Sequence, residues 1–263
     1  MNKIIYLFAI IFMINACVDH KPENKNENQV VSGKTDESTG LNPTGCGDLI
    51  FFKKNAVIGS TLYDSMGNIT GTQQMTVTGV KEENGMLIAN SSQEMISTTS
   101  KTKKPFVLLV AFKCDGKNIY SDPQQALANF SALKDAHVTT SQLAFPLSPE
   151  IGEKLPEAYM EMELDRGGMK FKSRTTYTDR HVEGKEQITT AAGSWSCFKI
   201  LATLVNSINI SNTPVENSKE GMTNKNTNTS QLVIWYAPGI GFIKTETYQN
   251  EKLQNFSTIT SIK

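Results

Sequence analysis

Apolar and polar side chains alternate along several stretches of the chain, as they do in strands that bury one face of a sheet. The predicted strands cover residues 72–80, 86–95, 106–112, 195–205, 232–237, 241–248 and 253–262. Helical periodicity is nearly absent. The one short helix that the pattern suggests covers 122–130, where Asp122 could cap the first turn and Pro123 suits its first position.

Tight turns are predicted where Asp, Asn or Gly stand between two such stretches. Residues 63–68, 179–185 and 190–194 have this composition, and residues 207–230, which are rich in Asn, Ser, Thr and Lys, are predicted to form a long loop. The expected fold is all-β: a strongly curved antiparallel sheet or an open or half-barrel meander, with at most one or two short helices. We expect residues 46–263 to form a single antiparallel β domain.

The N-terminus has the features of a secretory signal. Lys3 precedes an apolar run from Ile4 to Ile14, which is shorter than the roughly 20 residues that a membrane-spanning helix needs. The run ends in Ile14-Asn15-Ala16-Cys17, which resembles the lipobox of bacterial lipoproteins. By that resemblance residues 1–16 are a signal peptide and Cys17 carries the lipid. The alternative is cleavage elsewhere, which would leave a free thiol.

Residues 17–45 would then be a disordered, lipid-anchored tether. From Val18 to Gly45 the chain has no aromatic residue and is dominated by polar and charged side chains, so it cannot bury enough apolar surface to become ordered. The whole chain carries 26 basic and 26 acidic side chains. A chain so balanced lacks the basic face that nucleic-acid binding requires, and no nucleic-acid partner is predicted.

Four segments of the body carry recognisable motifs. They are Tyr63 to Gly71; Phe145-Pro146 with Gly152 and Leu155-Pro156; Asp179 to Gly193 with Cys197 to Ile200; and Trp235 to Lys244 with Glu246 to Tyr248. Together they resemble the TapB-like proteins of Gram-negative bacteria. The resemblance implies an exported, mostly antiparallel β protein, and it implies no established activity and no catalytic residues.

Three cysteines, Cys46, Cys114 and Cys197, remain if Cys17 is acylated. Three thiols allow at most one bridge within the chain, and an exported protein can form disulfides. The candidate disulfide joins Cys114 to Cys197, because the first closes one predicted strand and the second opens another. The alternative is that both are small buried apolar side chains. No pair has the C-x₂-C spacing of zinc or redox sites, so no metal is predicted.

Candidate catalytic residues are few. His137 is the one histidine of the body outside a predicted turn, and no motif supplies it with a nucleophile. Residues 159–165 contain three acids, but their strict alternation with apolar side chains is typical of a half-buried strand. We predict no enzymatic activity, no catalytic residues and no cofactor. If the chain were a hydrolase, His137 and Glu163 would be the best candidates.

The sequence therefore favours a non-catalytic binding module of the cell envelope of a Gram-negative bacterium. It would be lipid-anchored to the outer membrane, on the periplasmic face or at the cell surface. Its partners would be the membrane, through the N-terminal lipid, and an apolar small molecule or an envelope component. The alternative is a scaffold or accessory subunit of an envelope protein complex.

Overall fold

The computed structural model of the protein describes residues 45–99, 105–122, 135–166, 168–212 and 223–263. These residues form two 3₁₀ turns, Cys46–Asp48 and Ile50–Phe52, and a sheet of thirteen strands. The strands are β1 (Val57–Asp64), β2 (Ile69–Glu83), β3 (Met86–Ser97), β4 (Phe106–Cys114), β5 (Asn118–Asp122), β6 (His137–Thr140), β7 (Leu143–Pro146), β8 (Ala158–Arg166), β9 (Met169–Thr190), β10 (Gly193–Asn212), β11 (Thr223–Ala237), β12 (Gly241–Gln249) and β13 (Lys252–Ile262). The predicted signal peptide, Cys17, the tether up to residue 44, and residues 123–130 of the predicted helix lie outside the described residues.

The strand order shows that the sheet is strongly curved. The order is β6-β8-β9-β10-β11-β12-β13-β1-β2-β3-β4-β5-β7, and all pairs are antiparallel, including β1 with β13. The two edge strands, β6 and β7, are separated in sequence only by Ser141 and Gln142, which can span at most about 11 Å between the flanking Cα atoms. A sheet of this width must curl round on itself to bring its edges so close. The predicted fold class, a strongly curved antiparallel sheet, is confirmed.

One buried arginine links the edge strand β7 to β9, across the gap in the curved sheet. Arg180, on β9, is 3% exposed, and its guanidinium donates hydrogen bonds to the carbonyl oxygens of Ala144 on β7 (2.8 Å) and of Pro156 (2.6 Å). The guanidinium carbon lies 5.0 Å from the ring centroid of Phe145. Burial lowers the pKa of Arg180 to about 10, so the side chain stays charged at neutral pH. Because β7 pairs, among the described strands, with β5 alone, Arg180 supplies a donor on the other side of that strand.

Residues 46–52, which we call the plug, fold against the concave side of the sheet. Leu49, Phe51 and Phe52 are buried there, and the backbone N–H of Ile50 donates to the carbonyl oxygen of Gly239 at 2.8 Å. The plug therefore fills part of the interior that the curved sheet encloses. Its aromatic side chains add to the apolar core formed by the inward faces of most strands.

A disulfide ties the plug to the sheet, and it is not the predicted one. Cys46 is bonded to Cys114, at the end of β4, with the Cα atoms 5.9 Å apart. Cys197, on β10, is a free and fully buried thiol, so the candidate pairing of Cys114 with Cys197 is wrong. The physical reason is that β10 and β4 are separated by six other strands of the sheet, whereas the plug brings Cys46 directly to β4. For Cys197 the alternative, a small buried apolar side chain, is what the structure shows.

The predicted turn at 179–185 and the described parts of the predicted loop, 207–212 and 223–230, are strands, and residues 213–222 lie outside the described residues. Strand β9 continues through 179–185, where Asp179 has a φ of 51° and the pairing with β10 shifts register, as in a bulge. Strands β10 and β11 pair through much of 207–230, as far as Ser211 opposite Thr223. The turn at 63–68 is confirmed, since the carboxylate of Asp64 accepts the backbone N–H groups of Met66 and Asn68, both at 2.9 Å.

Candidate functional site

The concave face of the sheet encloses a cavity beside the plug. Its volume is about 150 Å³ and it is partly open to solvent. Twelve of the residues that line it are apolar or aromatic and eight are neutral and polar, and none of these described residues is acidic, basic or a histidine. The lining consists of Phe51, Ile58, Ser60, Leu62, Tyr63, Thr70, Gln73, Met75, Gln93, Met95, Val110, Phe112, Ser121, Ile240, Phe242, Thr245, Asn255, Phe256, Ser257 and Ile259.

Strand alternation and register bring these side chains together. Residues two apart on a strand share a face, and so do residues directly paired on neighbouring strands. Two rows across the sheet are Ile259-Ser60-Gln73-Met95 and Ile58-Met75-Gln93. The floor of the cavity is therefore a surface on which buried methionines alternate with side-chain amides.

Aromatic pairs mark the two ends of the cavity. At the plug end, the rings of Phe51 and Phe112 stack with their centroids 4.7 Å apart. At the far end of β1, the rings of Tyr63 and Phe256 stack with centroids 4.6 Å apart, and both side chains are half-buried. Phe51 is buried in the plug, whereas both members of the Tyr63–Phe256 pair are partly exposed to solvent.

The cavity is large enough for one ring or a short aliphatic group. An engineered cavity of about 150 Å³ lined by Leu, Ile and Phe in another protein stays dry and binds benzene. A longer molecule would place one end in the cavity and leave the remainder beyond Tyr63 and Phe256. The geometry thus suits partial burial of a small apolar or amphiphilic molecule.

Two side-chain amides at the cavity are left without partners. Gln73 and Gln93 are half-buried, and neither side chain forms a hydrogen bond with another described residue. The hydroxyls of Thr245 and Ser257, in contrast, bond to each other at 2.6 Å. The amides are therefore the polar groups of the lining that are most available to a bound molecule.

Two buried hydroxyls near the cavity are also without partners among the described residues. They are Ser91 Oγ and Tyr236 Oη. Ser91 lies directly opposite Val110 of the lining, and the ring centroid of Tyr236 is 6.2 Å from that of Phe242, another lining residue. Burial raises the pKa of Tyr236 well above its ordinary value. These two hydroxyls leave hydrogen-bonding capacity in the interior that the described side chains do not use. A buried polar group without a partner costs about 1–3 kcal/mol.

Charged side chains pair with one another elsewhere on the sheet. Lys199 Nζ lies 2.7 Å from a carboxylate oxygen of Glu183 and 3.7 Å from one of Glu186, and the hydrogen bond with Glu183 raises the pKa of Lys199. Trp235 Nε1 donates to Glu186 at 2.8 Å, and Lys244 Nζ lies 4.6 Å from the centroid of the same indole. None of these residues lines the cavity.

The structure brings the two hydrolase candidates together, but on an exposed surface. His137 and Glu163 are directly paired between β6 and β8 and both are exposed. Lys172 Nζ binds Glu163 at 2.7 Å and Glu161 at 3.0 Å, and its hydrogen bond lowers the pKa of Glu161. The methionines between the acids are buried, as the alternation predicted. These acids form ion pairs at a sheet edge, away from the cavity.

Within the described ranges, no group of three or more His, Cys, Asp or Glu residues is arranged to hold a metal ion. No helix in the described part of the chain is both long and apolar enough to cross a membrane.

The sequence analysis assigned none of the cavity residues to a binding site. The pattern that could have indicated them is the presence of Gln73 and Gln93 on the same strand faces as Met75 and Met95. A polar side chain on an otherwise apolar face is a common mark of a binding cavity.

Comparison with known proteins gives a family and a fold. Residues 53–259 match the model of the DUF3108-like family. A solved structure of a candidate lipoprotein from Parabacteroides distasonis is 18% identical, covers 82% of this chain and 98% of its own, and has a TM-score of 0.58. A candidate exported protein from Bacteroides fragilis with a YmcC-like fold is 20% identical, covers 80% of this chain and 96% of its own, and has a TM-score of 0.55. At these identities the likeness shows the fold alone. No curated protein matches the sequence significantly.

Proposed function

The chain belongs to the DUF3108-like family, and we propose that it is a non-catalytic protein of the bacterial cell envelope that binds an apolar small molecule in the concave cavity. The observation that carries the proposal is a cavity of about 150 Å³ whose described lining has no acidic, basic or histidine side chain. We further propose a relationship to the TapB-like proteins, supported by the motifs quoted above.

The size of the cavity limits the affinity that it can give. Burying about six methylene-sized groups contributes roughly 5 kcal/mol at about 0.8 kcal/mol each. That corresponds to a dissociation constant of roughly 0.2 mM before the cost of ordering the ligand is subtracted. A tighter complex would need additional apolar contact at Tyr63 and Phe256, or hydrogen bonds inside the cavity.

Anchoring by a lipid on Cys17 is supported by the sequence. The apolar leader ends at a lipobox-like segment, and polar residues separate it from the plug. We place the anchor in the outer membrane of a Gram-negative bacterium, with the body on the periplasmic face or at the cell surface. Metabolic labelling with palmitate should label the native chain and not a Cys17→Ser variant, which should move from the membrane to the soluble fraction. Labelling of the variant would contradict the assignment.

Binding in the cavity can be tested with a neutral fluorescent probe, N-phenyl-1-naphthylamine. Val110→Phe places an aromatic ring in the cavity where the smaller valine side chain stood, and it should weaken probe binding at least tenfold. Val107, three residues earlier on β4, is 48% exposed and does not line the cavity, so Val107→Phe is the matched control and should leave binding unchanged. Equal binding by the native chain and both variants would show that the probe binds elsewhere, and an absence of any binding would count against the proposal itself.

A scaffold role is the second candidate, favoured by apolar side chains exposed on β3 and β4. Ile96, Val107 and Leu109 are 41%, 48% and 43% exposed. If this surface binds an envelope protein, a photo-crosslinking residue at Leu109 should give one defined adduct in cells. The same residue at the exposed Lys185 is the control. An identical adduct pattern from both positions would argue against this role.

A further inference from the structure

We infer that the part of the ligand that enters the cavity is neutral and presents a hydrogen-bonding group, such as an amide, ester or hydroxyl, to the side-chain amides of Gln73 and Gln93. This inference rests on the proposed binding function and specifies the chemical class of its ligand.

The two amides are neighbours on the floor of the cavity. Gln73 is directly paired with Met95, and Gln93 with Met75, between β2 and β3. The glutamines are therefore diagonal neighbours on one face of the sheet, a separation that long side chains can bridge. On its other side Gln73 is paired with Ser60, which also lines the cavity. A ligand group placed between the glutamines can reach both amides at once.

The side-chain amides of Gln73 and Gln93 have hydrogen-bond donors and acceptors that no described side chain uses. Each carries two N–H donors and a carbonyl acceptor, and neither side chain bonds to another described residue. Apolar atoms that displaced water from these amides would leave the amides unsatisfied, which lowers affinity. A ligand that replaces those hydrogen bonds avoids the loss. The neighbouring Ser91 hydroxyl, two residues before Gln93 on the same face of β3, is buried without a partner as well.

The lining also argues against an ionised group at this point. No described lining residue carries a charge at neutral pH, so a carboxylate, phosphate or ammonium that entered the cavity would lose its hydration and find no counter-charge. Amide, ester and hydroxyl groups lose less on leaving water, and the glutamines match their donors and acceptors. A charge at the far end of a longer ligand would stay in solvent and is not affected by this argument.

The test compares octanamide with octanoate at pH 8, where octanoate is ionised. The two compounds have the same chain and nearly the same head group, and each displaces N-phenyl-1-naphthylamine from the full chain carrying Cys17→Ala, purified without detergent. We expect octanamide to bind at least tenfold more tightly than octanoate. Equal binding, or tighter binding of octanoate, would overturn the inference while leaving the binding function in place. Failure of both compounds and of the probe to bind would remove the binding function as well.

Substitutions then locate the amide contact. Gln73→Met with Gln93→Met keeps side-chain length and turns the floor into methionines only, so the affinity for octanamide should fall at least fivefold while that for the apolar probe is kept or improved. Gln74→Met, one residue along β2 on the exposed face, is the control and should change neither affinity. Unchanged octanamide binding in the double variant would refute a contact with these glutamines. The comparison of the two compounds on the native residues does not depend on how the variants fold.

Discussion

Replacing Cys46 by alanine removes the disulfide that holds the plug against β4. The bridged residues are 68 apart in the chain. In the chain-entropy model, a closed loop of this length restricts the unfolded state by about 4.4 kcal/mol at 25 °C. Cys46 is half-buried whereas Cys114 is 1% exposed, so substitution at Cys46 adds a smaller packing loss than substitution at Cys114. We therefore expect Cys46→Ala to lower the free energy of unfolding by about 4 kcal/mol.

Equilibrium unfolding in urea measures this change. With a slope of roughly 2 kcal/mol per molar urea, the midpoint should fall by about 2 M. Adding a reducing agent to the native protein should produce the same midpoint as Cys46→Ala, and it should not move the midpoint of that variant. Cys197→Ala is the control: it removes a buried sulfur atom, keeps the disulfide, and should remain sensitive to the reducing agent.

The opposite pattern would refute the reasoning. If Cys46→Ala kept its sensitivity to the reducing agent and Cys197→Ala lost it, the bridge in solution would join Cys114 to Cys197. The plug would then be held to the sheet by packing alone. Peptide mapping of the unreduced protein gives an independent answer, because the two pairings link different peptides.

Three other changes test the contacts that close the structure. Arg180→Met leaves the buried carbonyl oxygen of Ala144 and the part-buried one of Pro156 without their donor and should cost about 2–4 kcal/mol in urea unfolding; an unchanged midpoint would show that β7 and β9 are held together by other contacts. Gly241→Ala puts a Cβ 2.2 Å from the ring of Phe51, at a φ of 105°, and should therefore destabilise the plug. The double variant Gly241→Ala with Phe51→Leu should lose less free energy of unfolding than the two single variants lose together. The hydrogen bond to Glu246 raises the pKa of Tyr248 to about 12. This folded-state value lies above the ordinary value of 10.0. The stabilisation that the hydrogen bond gives to the folded protein is therefore complete below pH 10 and is lost as the pH rises through 12. Over that pH range the free energy of unfolding should therefore fall less steeply in Tyr248→Phe than in the native protein. Superimposable curves for the two proteins would contradict the assignment.

Local patterns predicted the strands well because a strand that buries one face must alternate. The acids and methionines of β8 show this, with Met160 and Met162 buried and Glu161 and Glu163 paired to lysine on the outer face. The turn at 63–68 was also predictable, because an aspartate that accepts backbone N–H groups is the cause of the reversal.

The errors came from residues whose role depends on distant partners. Asp179 has a composition and a positive φ that suit a tight turn, but a bulge uses the same backbone freedom without reversing the chain. Polar residues between Ser207 and Ser211 resemble a loop, yet each has a partner on β11. Whether such a segment forms a turn or a bulge, or a loop or a strand, is decided by the pairing of whole strands, which is set over tens of residues.

Arg180 shows the same dependence on distant contacts. Its sequence neighbours indicate a charged turn, and nothing local suggests a side chain that is 3% exposed. The carbonyl groups that it binds belong to segments 24 and 36 residues away. The need for it arises only when the sheet curls and leaves β7 with a neighbour on one side.

The cavity follows from the balance between sheet curvature and the length of the plug. Alternation predicts which side chains face inward, but it does not tell whether they meet one another or enclose a space. Here the plug fills one end with Phe51 and Phe52, and the disulfide from Cys46 to Cys114 fixes how far along the concave face it reaches. Phe51 borders the cavity from the plug, and the inward-facing side chains of the rows that contain Gln73 and Gln93 line the same space of about 150 Å³. Because close packing is the rule in protein interiors, this space, bounded by both methionines and side-chain amides, is the feature on which the proposed binding function rests.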